Sequence, residues 1–286
     1  TRSALRNAQH HGRIRSVTRG CYTSAPELTA VVAALAAGHR YPGAVVSHRS
    51  ALLLHELPLV GAAPRSAEIT VRPRSNANLA DVQLYRAGLR DADVTVVGNA
   101  RVTSVARTLT DVARHRPLGT AVAAIDAALH RRLVTLDEIE DSLVHCWNWP
   151  LIRRAQRAVA LADGRAESPL ESVSRLVFRW LRLPAPQLQQ AIFDQYGRLL
   201  ACVDFYWDEY GVFGEADGRM KYRGDGEAFA LEKERQERLE DLTLVAVRWG
   251  WSYLTGRRYA LRDRITNAFA RGLARDRSGL PRLWSL

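Results

Sequence analysis

Lysine is almost absent from this chain: of 41 lysines and arginines only Lys221 and Lys233 are lysine, so nearly all the positive charge is guanidinium. Cysteine is scarce too. Cys21, Cys146 and Cys202 lie far apart, with no CxxC pair and no HExxH, which argues against a disulfide framework or a structural zinc site. No GxSxG, phosphate-binding glycine loop or GxGxxG occurs, so hydrolase, nucleoside-triphosphatase and dinucleotide readings lack support. No apolar run approaches the roughly 20 residues of a membrane helix, and no charged-then-apolar leader opens the chain, so a cytoplasmic protein with no membrane partner is expected. Because the chain starts at Thr1 inside a basic segment, an upstream segment is expected as well.

What is present is enough to build real cores: 286 residues, 47% of them hydrophobic, suit two domains. A formal charge of +11 suggests a polyanionic partner, because clustered cations bind phosphates and release counterions.

Residues 1–24 read as a short helix (Ser3 to Gln9) followed by a hairpin in HGRIRSVTRGCYTS, with five arginines and no acid. From 25 to 146 the pattern mixes helices (26–37, 47–56, 104–114, 118–131, 136–144) with the strands AEITVRP, VQLYR and ARVT. Thr135 with Glu138 predicts a capping box, and Thr103 a cap for the helix before. His48 and His55 lie on a short apolar helix, where packed or capping histidines are the better reading. The segment 147–165 reads as a connecting helix ending at Gly164, with a domain boundary there.

The phrases GRIRSVTRGCYT, AVVSHRSALLLHELP, AEITVRPR and VTSVARTLTDVA resemble the AbiEi family of type IV antitoxins over the first half of the chain. That resemblance implies DNA binding through a winged helix, of which residues 1–24 would be the recognition helix and wing. Arg13, Arg15 and Arg19 would then hold phosphates, and a cognate toxin would be a partner.

From 166 to 256 the coarse order is helix (PLESVSRLVFRWLR), three strands (LQQAIF, RLLACVDFYW, GVFGEAD), a charged helix (EAFALEKERQERLEDL) and a last strand (LTLVAVRW). Asp204 stands in an otherwise apolar strand, where an unpaired buried carboxylate is costly. Side chains alternate along strands, so Asp204 shares a face with Cys202 and Tyr206, and Glu215 shares one with Phe213 and Asp217. If the two strands are antiparallel neighbours, Asp204 and Glu215 meet and suit one hard divalent cation.

This αβββαβ order resembles the core of PD-(D/E)XK nucleases, making the expected class α/β with an α+β first half. VDFYW, GEADGRMKY and EKERQERL resemble domains related to the very-short-patch repair endonucleases. The resemblance implies Mg²⁺ or Mn²⁺ held by Asp204, Glu215 and Asp217, with Glu171 as an auxiliary acid. The usual (D/E)-x-K reads Glu215-Ala216-Asp217 here, so Lys221 or Lys233 would supply the transition-state cation.

Bland readings stand beside these. Ser168-Pro169-Leu170-Glu171 is a good capping box with proline at the first helical position, Asp217-Gly218 fits a turn, and EKERQERLED fits a solvated face. Arg248 ends an apolar strand and could face the site or DNA. The stretch 257–286 is expected to be a basic helix and tail, and Trp249, Trp251 and Tyr253 to fill core. Three functions follow as expectations: a metal-dependent DNA endonuclease in defence or repair, a non-enzymatic antitoxin-like repressor with a degenerate nuclease domain, or an interaction module that neutralises a toxin.

Overall fold

The computed structural model describes residues 2–18, 20–25, 27, 29–41, 43–73, 82–194, 196–217 and 242–275. It is an α/β chain in two compact units, Thr1–Gly164 and Arg165–Leu286. Arg19, Lys221, Lys233 and the segment EAFALEKERQERLEDL lie outside the described residues.

The first unit opens with α1 (Arg2–His10) and the antiparallel hairpin β1 (Arg15–Thr18) and β2 (Cys21–Thr23). Helix α2 (Ala30–Arg40) starts four residues later than its apolar pattern suggests, because the Thr29 hydroxyl accepts from the Val32 N–H and caps it there. A five-stranded mixed sheet follows, from β3 (Val45–Val46), β4 (Ala67–Val71), β5 (Val82–Arg86), β6 (Val94–Val97) and β7 (Ala100–Thr103), in the order β5-β4-β3-β7-β6. The two-residue β3 and the solvated β6 were not expected from the sequence; neither has an alternating run long enough to read.

Helices α3 (His48–Leu54), α4 (Val105–His115), α5 (Leu118–His130) and α6 (Leu136–His145) fall where the sequence places them. Thr135 and Glu138 form the capping box of α6, whereas Ser104, not Thr103, caps α4. The expected connector is α7 (Ile152–Val159), and it is an integral part of this unit: Ile152, Ala155 and Ala158 are buried, and the helix packs on α4 and α5.

Buried charge here is largely ion-paired, although Arg107 Nη2 and Arg116 Nε find no hydrogen-bond partner among the described residues. Arg107, fully buried, lies between Asp93 and Asp111, its guanidinium 4.5 Å from the Trp149 ring centroid; Arg114 joins Asp111 and covers the same ring. Glu68 is held by Arg49 and Arg116. His48 is packed, its ring stacked on Tyr85 with centroids 3.5 Å apart, and burial drives its pKa down to about 3.

The second unit begins with α8 (Pro169–Trp180) and builds a four-stranded sheet from β8 (Gln187–Phe193), β9 (Leu199–Trp207), β10 (Val212–Ala216) and β11 (Val245–Trp249), in the order β11-β10-β9-β8. The first three strands form an antiparallel meander, and β10 pairs with β11 in parallel. Helices α9 (Trp251–Thr255) and α10 (Arg258–Leu273) follow. The basic helix expected from residue 257 is present as α10, and it contributes Leu261, Ile265, Ala268 and Phe269, spaced along one helical face, to the core.

Leu170, Val177 and Phe178 of α8 pack on Phe205, Trp207, Val247 and Trp249. The Trp249 indole N–H donates to Ser174 Oγ at 2.8 Å, and its ring lies against Gly214, the one position on β10 with no side chain. Trp249 fills core as expected, but Trp251 is 39% exposed, because α9 turns it away from the sheet.

Candidate functional site

Register places two acids of the second unit, Asp204 and Glu215, in a single row. Gly214 pairs with Phe205 on the antiparallel β9–β10 ladder, so the next pair along sets Glu215 opposite Asp204. On the parallel ladder Glu215 pairs with Arg248. On β8, Leu188 and Gln190 pair with Phe205 and Val203, which sets Gln189 opposite Asp204. Gln189, Asp204, Glu215 and Arg248 thus cross all four strands as one polar line. Asp204 and Glu215 are near enough that the Glu215 charge helps to raise the Asp204 carboxyl.

The row is also where the core changes hands. Ile192, Ala201 and Val203 pack with Tyr206 and Phe213, whereas Leu188 and Phe205 pack with Trp207 and Trp249. Gln189 carries the local irregularity, with a φ of +48° in mid-strand, a conformation that costs a non-glycine residue on the order of 1–3 kcal/mol and tends to sit at functional sites.

Helix α8 contributes the third carboxylate. Ser168 caps it, Pro169 holds its first position, and Glu171 stands at the third. Glu171 is 5% exposed, and its two oxygens accept from the Ser168 hydroxyl at 2.6 Å, the Glu167 N–H at 2.9 Å and the Gln189 side-chain amide at 2.9 Å. The capping and site readings of Glu171 therefore coexist: its amide bond to Ser168 starts the helix, and its bond to Gln189 ties that helix to the polar row.

Asp204 is the electrostatic centre. Burial raises its pKa to about 6, against the ordinary carboxylate value of 3.8; a 2.8 Å hydrogen bond from the Ala216 N–H opposes the rise, and Glu171, Glu215 and Glu167 add to it. Cys202 donates to Gln189 Oε1 at 3.5 Å, and burial and then Glu167, Asp204 and Glu171 push its thiol up. At the far end Arg248 Nε donates to Glu215 Oε2 at 2.8 Å.

The structure therefore brings Asp204, Glu215, Glu171 and Arg248 together. Asp217 follows β10 with its N–H on the Trp249 carbonyl at 2.8 Å, and it is not among the leading charges acting on Asp204. Arg13 and Arg15 are exposed on the first unit. Sequence reasoning missed Glu167 and Gln189, and placed Cys202 beside Asp204 without giving it a role. Glu167 carried a faint signal as an acid directly before a cap; a left-handed glutamine in mid-strand carries none.

Among the described residues no group of three or more His, Cys, Asp and Glu side chains is placed to hold a metal ion. Both oxygens of Glu171 are already engaged, and Glu215 holds an arginine. That leaves Asp204 and Glu215 as the carboxylates of the row that a divalent cation such as Mg²⁺ would have to use, with water and substrate phosphate filling the rest of its shell.

No family model matches the chain. Two uncharacterized proteins, from two strains of Mycobacterium tuberculosis, are each 33% identical to it over 153 residues. The matched stretch covers 53% of this chain and 56% of each relative, so the chain spans about half the length of the curated relatives it matches.

Proposed function

We propose that the second unit is a Mg²⁺- or Mn²⁺-dependent phosphodiesterase domain that acts on DNA, with the AbiEi-like first unit as a DNA-binding partner domain in defence or repair. The observation that carries this reading is the meeting of Glu215 and Glu171 around the half-buried carboxyl of Asp204, whose pKa is raised to about 6. Crowded carboxylates are a standing electrostatic cost unless something positive joins them. Asp204 and Glu215 would hold the metal, which would polarise the phosphoryl oxygen and help deprotonate an attacking water. Glu171 positions Gln189, and the Ala216 N–H fixes the rotamer of Asp204. Lys221 or Lys233 would supply the cation that faces developing charge.

A specific observation favours a second reading. Arg248 already sits on Glu215 and neutralises it as a bound cation would, which is what a degenerate site in an antitoxin-like repressor would look like.

Purified protein incubated with supercoiled plasmid and with labelled single- and double-stranded DNA, in Mg²⁺, Mn²⁺ or EDTA, separates the two. The enzyme reading expects metal-dependent cleavage that disappears in Asp204→Ala and Glu215→Ala. Cleavage surviving in either variant, or none with any metal and substrate, rules it out.

A further inference from the structure

At the end of α8 opposite Glu171 lies a surface that the acidic row does not use. Trp180 stands nine residues after Glu171 on the same helix, about 14 Å along it. It is 54% exposed, and Tyr259 beside it is 61% exposed. Their ring centroids are 5.6 Å apart at 53°, a stepped pair rather than a packed one. The inward face of α10 is complete without them, through Leu261, Ile265, Ala268 and Phe269.

Each ring carries its own guanidinium. Arg258 lies 5.5 Å from the Trp180 centroid, Arg262 lies 5.4 Å from that of Tyr259, and Arg257 and Arg264 lie 4.9 and 5.9 Å from that of Tyr253 on α9. Between 257 and 275 the chain has six arginines and one acid, Asp263, which Arg262 contacts. Helix α9 starts two residues after Trp249, so this face begins beside the strand end that carries Arg248 and continues to the end of α8.

We propose that the Trp180–Tyr259 face of the second unit binds single-stranded nucleic acid. Two large rings kept half in water offer flat apolar faces of the kind an unpaired base covers, and a guanidinium over a ring keeps N–H groups at its edge for phosphate. A duplex hides its base faces and would use the arginines alone. A protein partner would want an apolar centre depleted of charge, the reverse of rings interleaved with cations. The 14 Å from Glu171 to Trp180 corresponds to about four stacked phosphates at about 3.4 Å each. This inference rests on the nucleic-acid part of the reading above and not on its catalytic part.

The test uses the full chain in EDTA, where no cleavage occurs, and fluorescence anisotropy with a labelled 20-mer of thymidylate, the matching uridylate 20-mer and a 20-base-pair duplex. Tighter binding of either single strand than of the duplex is expected. Trp180→Ala with Tyr259→Ala should weaken single-strand binding by about tenfold or more without changing its salt dependence. Trp180→Phe with Tyr259→Phe should restore it, since the rings return. Arg258→Ala with Arg262→Ala should weaken binding and flatten the salt dependence. Undiminished binding by the double alanine variant, or a duplex bound at least as tightly as both single strands, overturns the proposal. Asp204→Ala should bind like the unmodified chain, so loss of cleavage alone leaves the proposal standing.

Discussion

Glu215 and Arg248 are register partners on parallel strands, joined by a 2.8 Å hydrogen bond and 14% and 32% exposed. The guanidinium is bonded to the acidic row at its Glu215 end. Its removal should expose how much repulsion the row holds.

Arg248→Met should therefore lower stability by about 1–2 kcal/mol in EDTA, a value discounted for partial exposure. Millimolar Mg²⁺ should recover part of it by taking the vacated place. Thermal unfolding with and without metal measures both. A variant as stable as the unmodified chain, with the same response to Mg²⁺, would count against a cation-accepting row.

Asp204 makes stability depend on pH in a particular direction. Its carboxyl is raised to about 6, so the folded state prefers the protonated form, and the stability this supplies is lost as pH rises from about 4 through 6. Asp204→Asn, which can still accept from the Ala216 N–H, should then be more stable than the unmodified chain at pH 7.5 in EDTA by about 1–2 kcal/mol. The gain should shrink towards pH 4. Urea denaturation at several pH values checks this, and a gain that grows on acidification contradicts it.

Gly214 should tolerate no side chain. A Cβ there would lie 2.5 Å from Trp249 Cη2 and 3.1 Å from the Trp207 ring, both held in the core. Gly214→Ala should cost about 2–3 kcal/mol, with most of the loss recovered by Trp249→Leu in the same chain. Calorimetric unfolding of the single and double variants reads it directly; additive losses would show that the two positions do not compete for the same space.

In the first unit, His48 should stay neutral far below the usual histidine range. Burial is the main cause of its pKa of about 3; Asp111 opposes the shift, while His115, Arg116 and Arg107 reinforce it. A depressed pKa means that stability is complete above about 6.5 and is lost as pH falls towards 3. Ring proton resonances followed by NMR from pH 8 to 4.5 should show no titration at His48, assigned through His48→Asn, a residue that accepts the local φ of +52°. A midpoint near 6.5 would contradict the burial described above.

Much of the second unit was legible because its strands alternate and its caps are explicit. Ser168, Pro169 and Glu171 announce the start of α8, and VDFYW and VFGEA read as strands with an acid out of place. The pairing of Asp204 with Glu215 followed from assuming antiparallel neighbours. The sequence did not show that Arg248 would be matched to Glu215, since parallel register depends on how the intervening chain returns, nor that Gln189 would turn left-handed to reach Glu171. The basic stretch after 257 reads as a helix and forms one; that its apolar face joins the core was not legible, because its many arginines dominate the composition while only a few apolar residues at helical spacing pack inward.

The contact between Ala216 and Asp204 spans twelve positions of chain and closes within a meander, whereas that between Arg248 and Glu215 spans 33. Short loops close sooner and at less entropic cost than long ones. On that ground the acidic middle of the row is expected to form before its guanidinium end. A folding chain would then pass through a stage in which the carboxylates stand together without that partner. Acid or divalent cation during refolding should speed that stage, and the final docking of β11 should set the pace of the whole unit.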